Sequence, residues 1–449
     1  MFCVLLPCLL NTAHATSLMA LIDDARESDA KLKSAESAYR ADIEKEAQGR
    51  AGLLPQVSAQ QSDYRNGVRV PGERYPGYPT VGFTVSLSQP IFKWDAWETY
   101  QQGKLSVIGA ALTLEQAQAD LLLRVSQAYF DALAAQDDLT LAGKHRQAII
   151  EQLALTKRRF ELGDATAVDI SEAQSAFDSA NADEIAAQEA LDEKYAALQK
   201  IVGHPVLAVD GFRASFSMPP VDPPDIDQWV AAAADANYDV RQKQISVEIA
   251  ERERSKARAG DYPTISLVGN VNNGNAAYIN GQSNFNTGGN RGTSTAIGIQ
   301  ITLPLTDGFM TRSRIREALA LKEKAEHDLD DAERSAELDA RRAYLGVTRG
   351  TAKVSALQTA VTSAEVALKS NQTGYRVGVR VNADVLSAQD KLFGARRDLA
   401  KARYETLMEG LRLKASAARL EVADLNSVNS LLTGAQDAIN EQQKSASGD

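Results

Sequence analysis

The chain has 449 residues, of which 44% are apolar, 24% charged and only 6% aromatic, and its net charge is −10. That charge argues against a nucleic-acid partner, which needs a basic face, and the apolar share excludes a disordered chain. Both cysteines, Cys3 and Cys8, stand near the start, so the remainder has no disulfide and no cysteine metal site.

The apolar run Met1–Leu10 and the following Ala13-His14-Ala15 read as a secretory signal over residues 1–15, cleaved after Ala15, although no basic residue precedes the run. Leu6-Pro7 before Cys8 is a poor context for lipidation. No later stretch approaches the roughly 18–20 apolar residues of a membrane-spanning helix. An exported chain without such a helix is either soluble or a β-barrel.

From about 17 to 52 the pattern is helical, with Leu18, Leu21, Ile22 and Ala25, then Leu32, Ala35 and Ala38, and Pro55 beyond its end. A strand is predicted at about 56–66, and the prolines and glycines of 68–82 predict a loop. Phe83, Val85 and Leu87 alternate with Thr84, Ser86 and Ser88, which predicts a strand at about 82–92 with one apolar face. Helical pattern then runs from about 95 to 160, about 100 Å at the helical rise. Two apolar stripes mark it, one through Leu112, Leu122 and Tyr129, the other through Leu121, Val125 and Ala132. Two stripes give a helix neighbours on both flanks, as in a cylinder of helices. The competing reading is a buried helix of a globular bundle, for which large aromatic residues are scarce. A turn near Gly163 leads to a helix from 168 to about 202, which completes a first structural repeat over 16–202.

Pro205, Pro219, Pro220, Pro223 and Pro224 mark a linker at 203–225. The order then repeats over 226–424: a helix to about 259, strands at about 263–273 and 294–304 around a Gly/Asn-rich loop, a long helix to about 373, a turn near Gly378 and a helix from 382. A polar tail occupies 425–449. Gly378 follows Gly163, Asp384 follows Asp169 and Gln389 follows Gln174, each by 215 residues. Such a constant offset is the signature of a duplicated architecture.

Four strands cannot close a membrane barrel, and lipid forbids open strand edges. The strands therefore form a small soluble sheet, or several chains pool them; three chains would make one twelve-stranded barrel. Trp94, Trp97, Tyr262 and Phe309 stand beside the strands, where interfacial aromatics belong. The fold class expected is mainly α with membrane β: duplicated helix–strand–strand–helix–hairpin halves, four strands per chain, continued by a long α-helical barrel.

The passages Leu53-Leu54-Pro55-Gln56, Ser86-Leu87-Ser88-Gln89-Pro90-Ile91-Phe92, Arg159-Phe160 with Gly163, and Gly374-Tyr375-Arg376-Val377-Gly378-Val379-Arg380 with Asp384-Val385-Leu386 carry a resemblance. In their order and spacing the chain resembles the TolC-like family of outer-membrane efflux and type I secretion ducts, over nearly its whole length after the signal. The resemblance implies a homotrimer in outer-membrane lipid, with its helical barrel in the periplasm, docked to a periplasmic adaptor and an inner-membrane pump of the ABC or RND type. It further implies a periplasmic gate latched by Tyr375 and Arg380 against Asp169, and a pore ring of three Asp384 carboxylates. The family's second acidic ring, one turn later, falls on Ser387 here. Gly163 and Gly378 match the tips that meet the adaptor.

The residues themselves offer plainer roles. Arg380 reads equally as an exposed ion pair, Tyr375 as hairpin packing, and Asp384 as a carboxylate at a helix N-terminus. His145, His204 and His327 lack metal spacing, and no nucleophile–base motif appears, so neither catalysis nor a cofactor is expected. The function expected is an exit duct for type I protein secretion. The alternatives are the outer channel of a multidrug efflux pump and, in another class, a soluble periplasmic coiled-coil scaffold.

Overall fold

A computed structural model of the chain describes residues 16–66, 78–212, 218–275 and 291–433. The expected signal, the central loop residues 67–77 and 276–290 and the tail beyond 433 lie outside the described residues. In chain order the first elements are α1 (Leu18–Ser28), α2 (Ala30–Ala51), β1 (Gln56–Asn66), β2 (Tyr78–Phe92), α3 (Trp94–Glu161), α4 (Ala167–Val202) and β3 (Gly211–Phe212). Then come α5 (Ile226–Ala236), α6 (Tyr238–Arg258), β4 (Thr264–Asn275), β5 (Arg291–Thr302), α7 (Met310–Arg376), α8 (Asn382–Ser416), α9 (Val422–Asn429) and β6 (Leu432–Thr433).

The chain divides into two compact units, one of residues up to 36, 114–240 and from 332 onward, the other of 37–113 and 241–331. Each unit takes segments from both sequence repeats, so neither repeat is a compact body by itself.

The second unit holds the strands, antiparallel in the order β1-β2-β4-β5. Asn66 pairs with Tyr78, so β2 begins before the expected 82: a hairpin strand must match its partner's length. β5 ends at Thr302, two residues before Pro304, which has no N–H to give a ladder. Register decides the faces. Val57 pairs with Leu87, Leu87 with Gly269, and Gly269 with Ile297; Val85 pairs with Val271, and Leu267 with Ile299. All of these share one face. The other carries Ser58, Gln60, Thr84, Ser86, Asn270, Asn272 and Gln300, and there Thr84 Oγ1 donates to Asn272 Oδ1 at 2.9 Å. The apolar face is uncovered: Val57 is 69% exposed and Ile297 75%.

Beside the strands, α2 and α3 touch through glycine. A Cβ on Gly103 would stand 2.7 Å from the Lys45 carbonyl oxygen. Glu98 is buried on α3, where it accepts from Ser255 Oγ at 2.8 Å and lies 3.6 Å from the Arg252 guanidinium.

The first unit is helical, and its seams follow the seven-residue repeat of a coiled coil. Buried positions recur at Ala142, Ile149 and Thr156 on α3, at Ala173, Ala180 and Ala187 on α4, and at Leu399, Thr406 and Leu413 on α8. Its core joins α1, α3, α4, α8 and α9 around Leu18, Leu21, Tyr129, Phe130, Leu198 and Leu425. The rings of Phe130, Phe212 and Tyr404 form a triangle, with centroid separations of 6.4, 5.2 and 6.1 Å for Phe130–Phe212, Phe212–Tyr404 and Phe130–Tyr404.

Three expectations need correction. The helices expected at 17–52 and 226–259 are each broken in two, at Asp29 and at Asn237. Both side chains divert backbone groups from the helical ladder: Asp29 accepts the Leu32 N–H at 2.7 Å and Asn237 the Asp239 N–H at 2.9 Å. The Arg124 guanidinium also grips Asp29 with two bonds of 2.9 Å and holds that carboxyl below its usual range. Nor is the stretch 203–225 merely a linker: Gly211 and Phe212 pair with Thr433 and Leu432, and Val209 bridges Thr16. The start of the expected polar tail is thereby drawn into the core, with Leu425 and Leu432 buried.

Candidate functional site: the paired hairpin tips

The two tips are built alike. At the end of α3 the Gly163 N–H donates to Phe160 O at 3.0 Å and the Asp164 N–H to Arg159 O at 2.8 Å. At the end of α7 the Gly378 N–H donates to Tyr375 O at 3.2 Å and the Val379 N–H to Gly374 O at 2.9 Å. This crossed pair of bonds requires a left-handed residue, and the glycines have φ of 83° and 81°. A Cβ on either would meet nothing within 4 Å, so the backbone angle, not crowding, calls for glycine. Around the turns Leu162, Val377, Val379 and Val381 are exposed.

Each following helix starts on an aspartate. Asp169 Oδ2 accepts from the Thr166 N–H and hydroxyl, both at 2.8 Å, while the Thr166 hydroxyl accepts the Asp169 N–H at 3.2 Å. Asp384 Oδ2 accepts the Val381 N–H at 3.4 Å and lies 3.6 Å from Arg380 Nη1. The carboxylate expected in the pore thus already carries a cation beside it. No ion pair joins Arg380 to Asp169 within the chain; each of the two is engaged on its own turn.

Other residues join the tips. The Arg159 guanidinium lies 4.4 Å from the centre of the Tyr375 ring and donates to Tyr375 O at 2.8 Å. Tyr375 is buried, and its hydroxyl has no hydrogen-bond partner. Asn382, fully buried at the start of α8, ties three helices together. Its Oδ1 accepts from Gln152 Nε2 at 2.7 Å and from Thr156 Oγ1 at 3.1 Å, and its Nδ2 donates to Asp169 O at 3.3 Å. Sequence reasoning gave no role to Arg159, Gln152, Thr156 or Asn382. Arg159 stood inside the repeated passage, and an Asn at a helix start reads as a cap, so neither announced a partner over 200 residues away.

In the strand-bearing unit, Trp94 follows β2 and donates from Nε1 to Ser255 Oγ at 3.2 Å. Trp97 packs edge-on against Tyr100, with centroids 6.0 Å apart. Trp97, Tyr262 and Phe309 are exposed, and Arg312 covers the Phe309 ring at 5.6 Å. No cluster of candidate metal ligands occurs among the described residues.

An uncovered apolar sheet face, a Ser/Thr/Asn/Gln face behind it, and paired coiled-coil hairpins define an outer-membrane channel protein. The solved structure of the outer membrane protein VceC from Vibrio cholerae has the same fold, with a TM-score of 0.75 at 18% identity over 89% of this chain and 96% of that one. Among proteins of known name, the alkaline protease secretion protein AprF of Pseudomonas aeruginosa is 30% identical over 425 residues, which cover 93% of this chain and 87% of AprF. The outer membrane protein TolC of Vibrio cholerae is 29% identical over 93% of this chain and 94% of its own. The model of the outer membrane efflux protein family matches residues 21–204 and 229–419, and the chain belongs to that family. It is an outer-membrane transport duct with its helical part in the periplasm, and it is not an enzyme.

Proposed function

We propose that this duct is the exit of a type I secretion system for proteins. The observation that carries this reading is the match, over nearly the whole of both chains, to a relative named for alkaline protease secretion. The working form is a homotrimer in which three four-stranded sheets pair through the edges of β1 and β5 into a twelve-stranded barrel. The apolar face then meets lipid, the polar face lines the bore, and Trp94, Trp97, Tyr262 and Phe309 mark the interface. The exposed tips at Gly163 and Gly378 dock a periplasmic adaptor, which couples the duct to an inner-membrane ABC-type pump.

The gate lies at the tips. Tyr375 anchors the second hairpin on the first, and Arg380 of one copy reaches Asp169 of the next when the gate is shut. Three copies of Asp384 form the pore ring; Arg380 beside each makes it a weaker cation filter than a bare ring. The test is threefold. The protein should run in the outer membrane as a heat-dissociable species near three times 48.4 kDa. In planar bilayers it should conduct, with cation preference reduced in Asp384→Ala and open time increased in Arg380→Ala. Finally, it should restore protease export when supplied with a type I pump and adaptor. Restored drug resistance without protease export would favour the efflux reading, and a soluble periplasmic monomer would overturn both.

A further inference from the structure

Along β1, β2, β4 and β5 charge is sorted by face. Ser58 pairs with Ser86, Ser86 with Asn270 and Asn270 with Ala296, so these four form one rung across the whole polar face. The rungs on either side of it are built of Ser, Thr, Asn, Gln, Val and Gly alone. The strands hold three charged residues, Asp63, Arg65 and Arg291. All three fall in the alternate register, that of Val57 and Ile297, at the loop end of the sheet. The polar face of the strands therefore bears no charge, in a chain of which 24% is charged.

Nor does charge reach the rung from its ends. Asp63 stands about 17 Å along β1 from Ser58, and Arg291 as far along β5 from Ala296, at the strand rise. Lys93, the first charged residue after Ser86, is about 24 Å on. Each span is at least about two Debye lengths at physiological salt. A ring of fixed charge would hold a passing segment of opposite sign and turn back one of like sign. Wet hydroxyls and amides do neither, because water replaces the cargo in each hydrogen bond at little net change.

We propose that the barrel is a charge-neutral bore suited to unfolded polypeptide, a cargo that presents acidic and basic side chains in turn and must be held by neither sign. This rests on the duct reading, in which the polar face lines the bore and each position recurs three times around it.

The test labels single cysteines on the full protein in outer-membrane vesicles with a cationic and an anionic methanethiosulfonate. Cys3 and Cys8 precede the described residues, and the wild type supplies the background. At Ser58→Cys and Ala296→Cys, both exposed, the ratio of the two rates should match that of a free thiol within about twofold. Adding Asn270→Asp, on the same rung as Ala296→Cys, should raise the cationic rate relative to the anionic one on the order of tenfold. In export, Asn270→Asp should slow a lysine-rich passenger several-fold relative to a glutamate-rich one. A ratio tenfold from the free thiol without the added charge overturns the neutral bore. So does a ratio that ignores Asn270→Asp, or export that does not distinguish the two passengers, since a charge on the rung would then be without consequence. Ile297→Cys, on the apolar face, separates the two readings. If it labels as fast as Ala296→Cys, water bathes both faces and the duct reading fails; if it stays unlabelled while the Ala296→Cys ratio is skewed, only the neutral bore fails.

Discussion

A single side chain, Asn382, carries as much of the tip's organisation as the repeated glycines do. Its amide is satisfied on both ends inside a buried site, so its loss orphans a partner on another helix. Asn382→Leu leaves the Gln152 amide buried without this acceptor, at a cost of about 1–3 kcal/mol, while the Thr156 hydroxyl keeps its bond to Gln152 O at 2.9 Å. Thermal unfolding should show this, and adding Gln152→Leu should recover part of it, because replacing both partners by apolar groups removes the unpaired polar atoms. Asp29 makes a prediction of its own. Arg124 lowers its carboxyl, so its contribution is present above the ordinary carboxylate range and is lost as the pH falls through the lowered value. An acid titration of unfolding should therefore be shallower below about pH 4 in Asp29→Asn than in wild type. At this scale the sequence was partly legible. The glycines, Tyr375 and Asp384 stood out through repetition, but repetition marks position and not partner. Within one chain Arg380 lies 3.6 Å from the carboxylate of Asp384, four residues on, a pairing the repeated passage did not announce.

Elements follow from periodicity and from the residues that interrupt it. The long helices and alternating strands were readable because seven-residue and two-residue periods run through them for many residues. The breaks at Asp29 and Asn237 were not, since their apolar pattern continues across the break and only side-chain bonds to backbone groups end the helix. The β3–β6 ladder was also hidden: two residues show no period, and their partners lie more than 200 positions apart. The turns give a clean comparison. Gly163→Ala and Gly378→Ala should each cost about 1–3 kcal/mol through backbone strain alone, as nothing crowds the added methyl. Gly103→Ala should cost more and chiefly loosen α2, where the methyl meets the Lys45 carbonyl; hydrogen exchange along 37–51 would report it.

For the molecule in its membrane, the two faces of the sheet make opposite predictions. Ile299→Arg places a charge on the uncovered apolar face and should cost about 2–4 kcal/mol at mid-membrane depth, seen as lost outer-membrane protein. Gln300→Arg, on the other face of the same strand, should insert normally and alter only conductance. The pairing also spans the chain. Thr84 bonds Asn272 across 188 residues and Tyr404 bonds Asp137 across 267. A chain threaded out of the cytoplasm from its N-terminus therefore delivers β1 and β2 long before β4 exists to receive them, and α3 before α8. Until that second half arrives, apolar strands and a half-made coil stand open to wrong partners. Export of this protein is thus a waiting problem. A stalled or slowly translocated chain should depend on periplasmic holding factors far more than a finished one.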